Sequence, residues 1–209
     1  MSNIAIQGAT TGTGVFTLES PATNTDRTLV LPDEAGTVLT SASDLTGVTG
    51  VPNPLTSGTA VASTSGTAID FTGIPSWAKR ITMVFKGVST NGSAVVGFRI
   101  GDGAFISTGY VGVVNRAQTA QTNAGLAYST SFAIINATAA GVSQNGTAVL
   151  THMGSNVWNF SAIAAREDNV SIYTCSGTLT LAGVLDRVRL TTANGTDTFD
   201  AGSINIMYE

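Results

Sequence analysis

Residues 4–16, IAIQGATTGTGVF, are the stretch whose residue types and spacing most resemble working chemistry. Ile4 and Ile6 alternate as in a short strand, and Gly8, Gly12 and Gly14 follow at the spacing of a glycine-rich phosphate turn. Such a turn holds pyrophosphate only where it opens a helix, whose free N–H groups and positive dipole end supply the attraction. The residues after Gly14 predict no helix. Val15–Leu18 is β-prone, Pro21 interrupts, Arg27–Leu31 is extended with Leu29 and Leu31 on one face, and Pro32–Gly36 reads as a turn before Thr37–Thr40. No lysine follows the glycines, so a P-loop is excluded by its own requirement. The three glycines are therefore expected to allow tight turns and close approach of chains.

The other reactive side chains are isolated. Cys175 is the only cysteine, so no intrachain disulfide can form; it is expected at a strand end, packed as a small apolar residue. His152 is the only histidine, and neither a zinc set nor a Gly-x-Ser-x-Gly nucleophile elbow accompanies it. Paired carboxylates would be needed for glycoside hydrolysis. Glu167 and Asp168 are adjacent and on a strand would point to opposite faces, whereas Asp186, Asp197 and Asp200 could meet across loops. No catalytic, cofactor-binding or metal-binding residue is assigned on these grounds. The chain is not expected to be an enzyme or to carry a cofactor.

Composition narrows the partners. Only 11% of the 209 residues are charged, against a usual quarter, and the net charge is −4. The nine basic residues never cluster beyond Lys79-Arg80, which excludes binding to nucleic acid by phosphate neutralisation. No run of about eighteen apolar residues occurs, so no helix is expected to insert in a membrane. A chain with so little surface charge is expected to cover part of its surface in an oligomer.

The elements that must position any site read as β throughout. Residues 1–40 form a small module of short strands, and 41–58 (SASDLTGVTGVPNPLTSG) a linker or extended connection held open by Pro52 and Pro54. Residues 59–209 predict an antiparallel, jelly-roll-like β-sandwich. Its expected strands are 68–71, 80–88, 94–100, 127–135, 147–153, 157–165, 176–183, 186–192 and 203–209. Turn signals separate them at Asn91-Gly92, Gly101-Asp102-Gly103, Asn145-Gly146 and Asn194-Gly195. Phe71, Phe85, Phe98, Trp158, Phe160 and Ile206 are the expected core. Trp77 reads as an end cap or a contact with a neighbouring chain. Segments 101–110, 115–126 and 194–202 read as loops at the sandwich end.

Two stretches carry a resemblance. GTGVFTLESPATNTDRTLVLPDEAGTVLTSAS resembles a repeat-like segment of bacteriophage tail-fibre and related virion proteins. SGTAIDFTGIPSWAKRITMVFKGVSTNG and LAGVLDRVRLTTANGTDTFDAGSINIMYE resemble a C-terminal β-domain of phage and prophage structural proteins. The resemblance implies a structural virion protein of the tail-fibre, head-fibre or capsid-decoration class, assembled in the host cytoplasm and located on the virion. It also implies a homotrimer held to a capsid or tail protein by residues 1–40. Three chains could bury Phe16, Leu18, Leu29, Leu31, Val38 and Leu39 against one another, each contributing roughly 1.5–3 kcal/mol before ordering entropy. The distal loops could bind a host-surface glycan. The alternative, from a different functional class, is a glycan-depolymerising enzyme of a phage spike, working through the carboxylates named above.

Overall fold

The computed structural model describes residues 55–118, 125–135, 139–168 and 170–209. The expected N-terminal module, with its glycines and apolar side chains, and the connection as far as residue 54 lie outside the described residues.

The described chain is an antiparallel all-β sandwich with no helix among its elements. Thirteen strands follow in order: β1 Thr56–Ser57, β2 Val61–Ala62, β3 Ala68–Thr72, β4 Arg80–Thr90, β5 Val96–Gly101, β6 Val111–Gln118, β7 Gly125–Tyr128, β8 Phe132–Ile135, β9 Gln144–Gly154, β10 Val157–Arg166, β11 Ser171–Thr180, β12 Arg187–Thr192 and β13 Phe199–Tyr208. A nine-stranded sheet runs β1-β13-β4-β9-β10-β11-β6-β7, with β2 also paired to β13. A four-stranded sheet runs β3-β12-β5-β8. Thr56 and Ser57, at the end of the expected connection, lie extended along the edge of the larger sheet opposite Tyr208 and Met207.

Period-2 alternation explains why the two sheets close on each other. In β10 every second residue from Trp158 to Ala164 is buried, while Ser161, Ile163 and Ala165 face out. The β9–β10 hairpin turns on Ser155 and Asn156, both at positive φ (49° and 58°), which matches the twist of the flanking strands. The inner faces meet in one hydrophobic cluster. Its centre is a column of rings: Phe132 of β8 stacks on Phe160 of β10 at 4.5 Å and 4° between planes. Phe98 leans on Phe160 at 5.3 Å, and Tyr110 meets Phe132 edge-on at 4.7 Å. Gly112 and Gly177 pair across β6 and β11 and leave a recess for Phe132; a Cβ on Gly177 would stand 2.9 Å from its ring. All six expected core residues, Phe71, Phe85, Phe98, Trp158, Phe160 and Ile206, are buried. Trp77 is half-buried, with its ring 5.5 Å from that of Tyr208 near the last residue.

Four expectations are corrected. Residues 127–135 are not one strand, because the chain bends at Ser129–Ser131 and passes from β7 in the larger sheet to β8 in the smaller. Asn145-Gly146 is not a turn but lies within β9. Gly146 is needed there because a Cβ would crowd the Phe85 ring at 2.6 Å and Ala164 Cα at 2.9 Å. Asn145 is fixed by accepting from Gly87 N at 2.8 Å and donating to Glu167 Oε1 at 2.6 Å. Cys175 sits in the middle of β11 rather than at its end. Residues 111–118, of which 115–118 were expected as loop, form β6.

The ring column gives the first expected outcome. Phe160→Ala should lower unfolding free energy by about 3–5 kcal/mol in denaturant melts. Ser161→Ala, one residue along and facing out, should change it by less than about 0.5 kcal/mol. Equal effects would mean that the two faces of β10 are not distinguished as described.

Candidate functional site

The outer face of the four-stranded sheet gathers three of the described basic residues. Phe98 and Ile100 of β5 point into the core, so Arg99 between them points out. By the same alternation Val188 and Leu190 of β12 turn inward, and Arg187 and Arg189 outward. Register then fixes neighbours: Asp70 of β3, Arg189 of β12 and Arg99 of β5 form one cross-strand row. Thr72, Arg187 and Gly101 form the next.

Segment 101–106 lies back on this face. Gly101 makes that possible, since a Cβ there would run into the Ala104 carbonyl. A bridge between Gly101 and Phe105 and the bond from Ile106 N to Ile100 O at 2.9 Å close the turn. Tyr110 pins it from below: its hydroxyl accepts from Ile100 N at 3.0 Å and donates to Ile106 O at 3.0 Å. Burial pushes the Tyr110 phenol up to about 12, so it stays a neutral donor at any physiological pH. Asp102 accepts from Gly183 N, and Asp186 from Gly103 N at 3.0 Å, which anchors the tip.

The folded-back turn lays Phe105 on the arginines. The Arg189 guanidinium carbon is 3.9 Å from the Phe105 ring centre and that of Arg187 is 5.7 Å away. Arg189 also forks onto Asp70 at 2.6 and 2.7 Å. Arg187 forks onto Asp186 at 2.7 and 2.9 Å, and this guanidinium is the main reason the Asp186 carboxyl is held down to about 2. Arg99 donates from Nε to Thr130 O at 3.0 Å. It makes no ion pair among the described residues.

Part of the outer face of the nine-stranded sheet is the opposite in character, although β4 beside it carries Arg80 and Lys86 outward. None of the outward side chains of β6, β9, β10 and β11 is charged. Register aligns Val84, Thr147, Ile163, Thr174 and Asn115 in one row, and Thr82, Val149, Ser161, Ser176, Val113 and Ala127 in another. Val111, Val113, Ile163 and Ile172 are 70, 52, 58 and 45% exposed there. A shallow hollow of about 660 Å³ opens between Tyr128, Val113, Asn159 and Thr178.

The expected candidates fall as follows. Loop 101–110 contributes Phe105 to the arginine face, and Tyr110 holds the turn from the core side. Of 194–202, residues from Phe199 on belong to β13, and Asn194 accepts from Thr196 N and Asp197 N to close a turn. The carboxylates are each tied to different partners: Glu167 to Asn145, Asp168 to Arg166, Asp186 to Arg187, Asp197 to Ala94 N and Asp200 to Ser89. No group of three His, Cys, Asp or Glu side chains suited to a metal ion occurs among the described residues. His152 tilts against Trp158 with ring centres 4.9 Å apart; burial and Lys79 hold its imidazole below the usual value. Burial pushes the Cys175 thiol up to about 12, which leaves it unreactive as a nucleophile at neutral pH. No helix of the described residues is long and apolar enough to cross a membrane. The arginine row was legible as Arg187 and Arg189 alternating with Val188 and Leu190. Its pairing with Arg99 and Phe105 required the strand order.

The Asp186–Arg187 pair has a definite pH signature. Because the folded-state value lies below the unfolded one, the pair's contribution is complete above the ordinary carboxylate range near pH 4 and is lost as pH falls through about 2. A carboxyl-carbon NMR titration should place the Asp186 midpoint near 2 in the wild type and shift it toward 4 in Arg187→Gln. A midpoint near 4 in both would contradict the pairing. Compared with protein-family models, curated proteins and solved structures, the chain matches none.

Proposed function

We propose that the chain is a structural protein of a bacteriophage particle. In this reading it is a homotrimeric fibre or decoration protein, attached to a capsid or tail protein through residues 1–40, with the sandwich projecting and able to bind a host-surface glycan. The observation that carries the self-association is the uncharged outer face of β6, β9, β10 and β11. Four strands spaced about 4.8 Å apart and roughly 30 Å long present about 600 Å². That is the upper end of what a monomer leaves exposed and close to the roughly 800 Å² per partner of a stable interface. Val111, Ile163 and Val113 would gain burial against a sister copy with no charge to desolvate on their own strands. Three such faces turned to a common axis enclose an uncharged prism, and the polar face with its arginines remains outside. The sequence segments that resemble tail-fibre proteins support the same class.

Sedimentation of the full chain at micromolar concentration should give three times the 21.2 kDa chain mass. Val113→Lys with Ile163→Lys should weaken association at least about tenfold, since each would bury an unpaired ammonium. A monomer in the wild type would overturn the reading, and an unshifted trimer in the double variant would remove this face from it.

A further inference from the structure

We infer that the outer face of the four-stranded sheet binds a carboxylate-bearing sugar, and that Arg99 takes the carboxylate. The inference deepens the glycan-recognition part of the reading above and rests on it. The observation behind it is an unbalanced row. Arg189 and Arg99 stand directly opposite each other on β12 and β5 and on the same face. Like charges in that position destabilise a sheet, and the one anion of the row, Asp70, is taken up by Arg189. Asp70 neutralises Arg189 by a two-bond fork and Asp186 does the same for Arg187. Arg99 has only the Thr130 carbonyl, bonded through Nε, and its two terminal nitrogens donate to nothing among the described residues.

That leaves one guanidinium already oriented by its Nε bond, with the paired terminal N–H groups that match a carboxylate. Its cross-strand neighbour Arg189 carries a fixed apolar cover. Phe105 is locked onto Arg189 by the turn that Gly101 permits and Tyr110 pins. The half-buried ring offers apolar surface to the C–H groups of a sugar, and Ser107 and Thr108 are exposed on the same loop. The charge count selects the ligand class. Arg99, Arg187 and Arg189 are matched by Asp70, Asp102 and Asp186, so the face has no net positive field to draw a polyphosphate or nucleic acid. A single carboxylate finds one free partner and little repulsion, because Asp70 and Asp186 are held by their own arginines.

The test titrates the full chain with methyl glucuronide, N-acetylneuraminic acid and neutral methyl glucoside by ligand-observed NMR and calorimetry. At least one acid should bind at or below about 10 mM, and the glucoside at least about tenfold more weakly. Arg99→Gln should lose at least about tenfold in affinity for the acid, Arg99→Lys less, and Arg80→Gln nothing. Circular dichroism melts of both Arg99 variants confirm folding, and Arg99→Lys retains the charge should Arg99→Gln fail to fold. Binding unchanged in Arg99→Gln, a glucoside that binds as well as the acids, or no binding of either acid at about 10 mM would overturn the site. Chain mass is read on the same samples. A trimer that binds no acid overturns the site and keeps the fibre reading; a monomer that binds through Arg99 overturns the fibre reading and keeps the site.

Discussion

The contact on which the rest depends is the stacking of Phe132 on Phe160 across the two sheets. It decides which face of each strand is inside. Side chains alternate with a period of two, so a shift of one residue in β10 would turn Phe160, Ala162 and Ala164 outward and bring Ser161, Ile163 and Ala165 in. With the column in place, Arg99 follows from Phe98 and Ile100, and Ile163 follows from Ala162 and Ala164. The two outer faces are thus consequences of one packing decision at the centre.

Those faces divide the work in a way that composition alone does not show. A chain with 11% charged residues could scatter them evenly. Instead the nine-stranded sheet keeps its outward positions on β6, β9, β10 and β11 free of charge, while the four-stranded sheet carries Arg99, Arg187, Arg189 and Asp70. A flat β-branched face with exposed Val111, Val113, Ile163 and Ile172 is a liability for a protein that stays alone in water. The proposal that sister copies cover it turns that liability into an assembly device, and leaves the polar face free to meet a ligand.

The all-β class and the core residues were legible because strands such as Arg80–Thr90 and Arg187–Thr192 alternate cleanly and because aromatic residues on the apolar phase have one place to go. What sequence missed has physical causes. Asn145-Gly146 has the composition of a turn, yet the glycine serves close packing under Phe85. Residues 127–135 read as one β run because a bend made of Ser129–Ser131 leaves little trace in composition. The candidate site was half visible: loop 101–110 and the Arg187–Arg189 alternation could be read, but their meeting depends on β12 lying between β3 and β5. Such non-local order is written in packing complementarity rather than in any short stretch.

Hydroxyl-radical footprinting of the full chain tests the central claim, that the uncharged sheet face is buried between copies, most directly. The account expects Ile163, Ile172, Val111 and Val113 to be protected, while Val184, 56% exposed and outside the strands, is oxidised at the rate of an open side chain. Oxidation of Ile163 and Val113 as rapid as that of Val184 would contradict it.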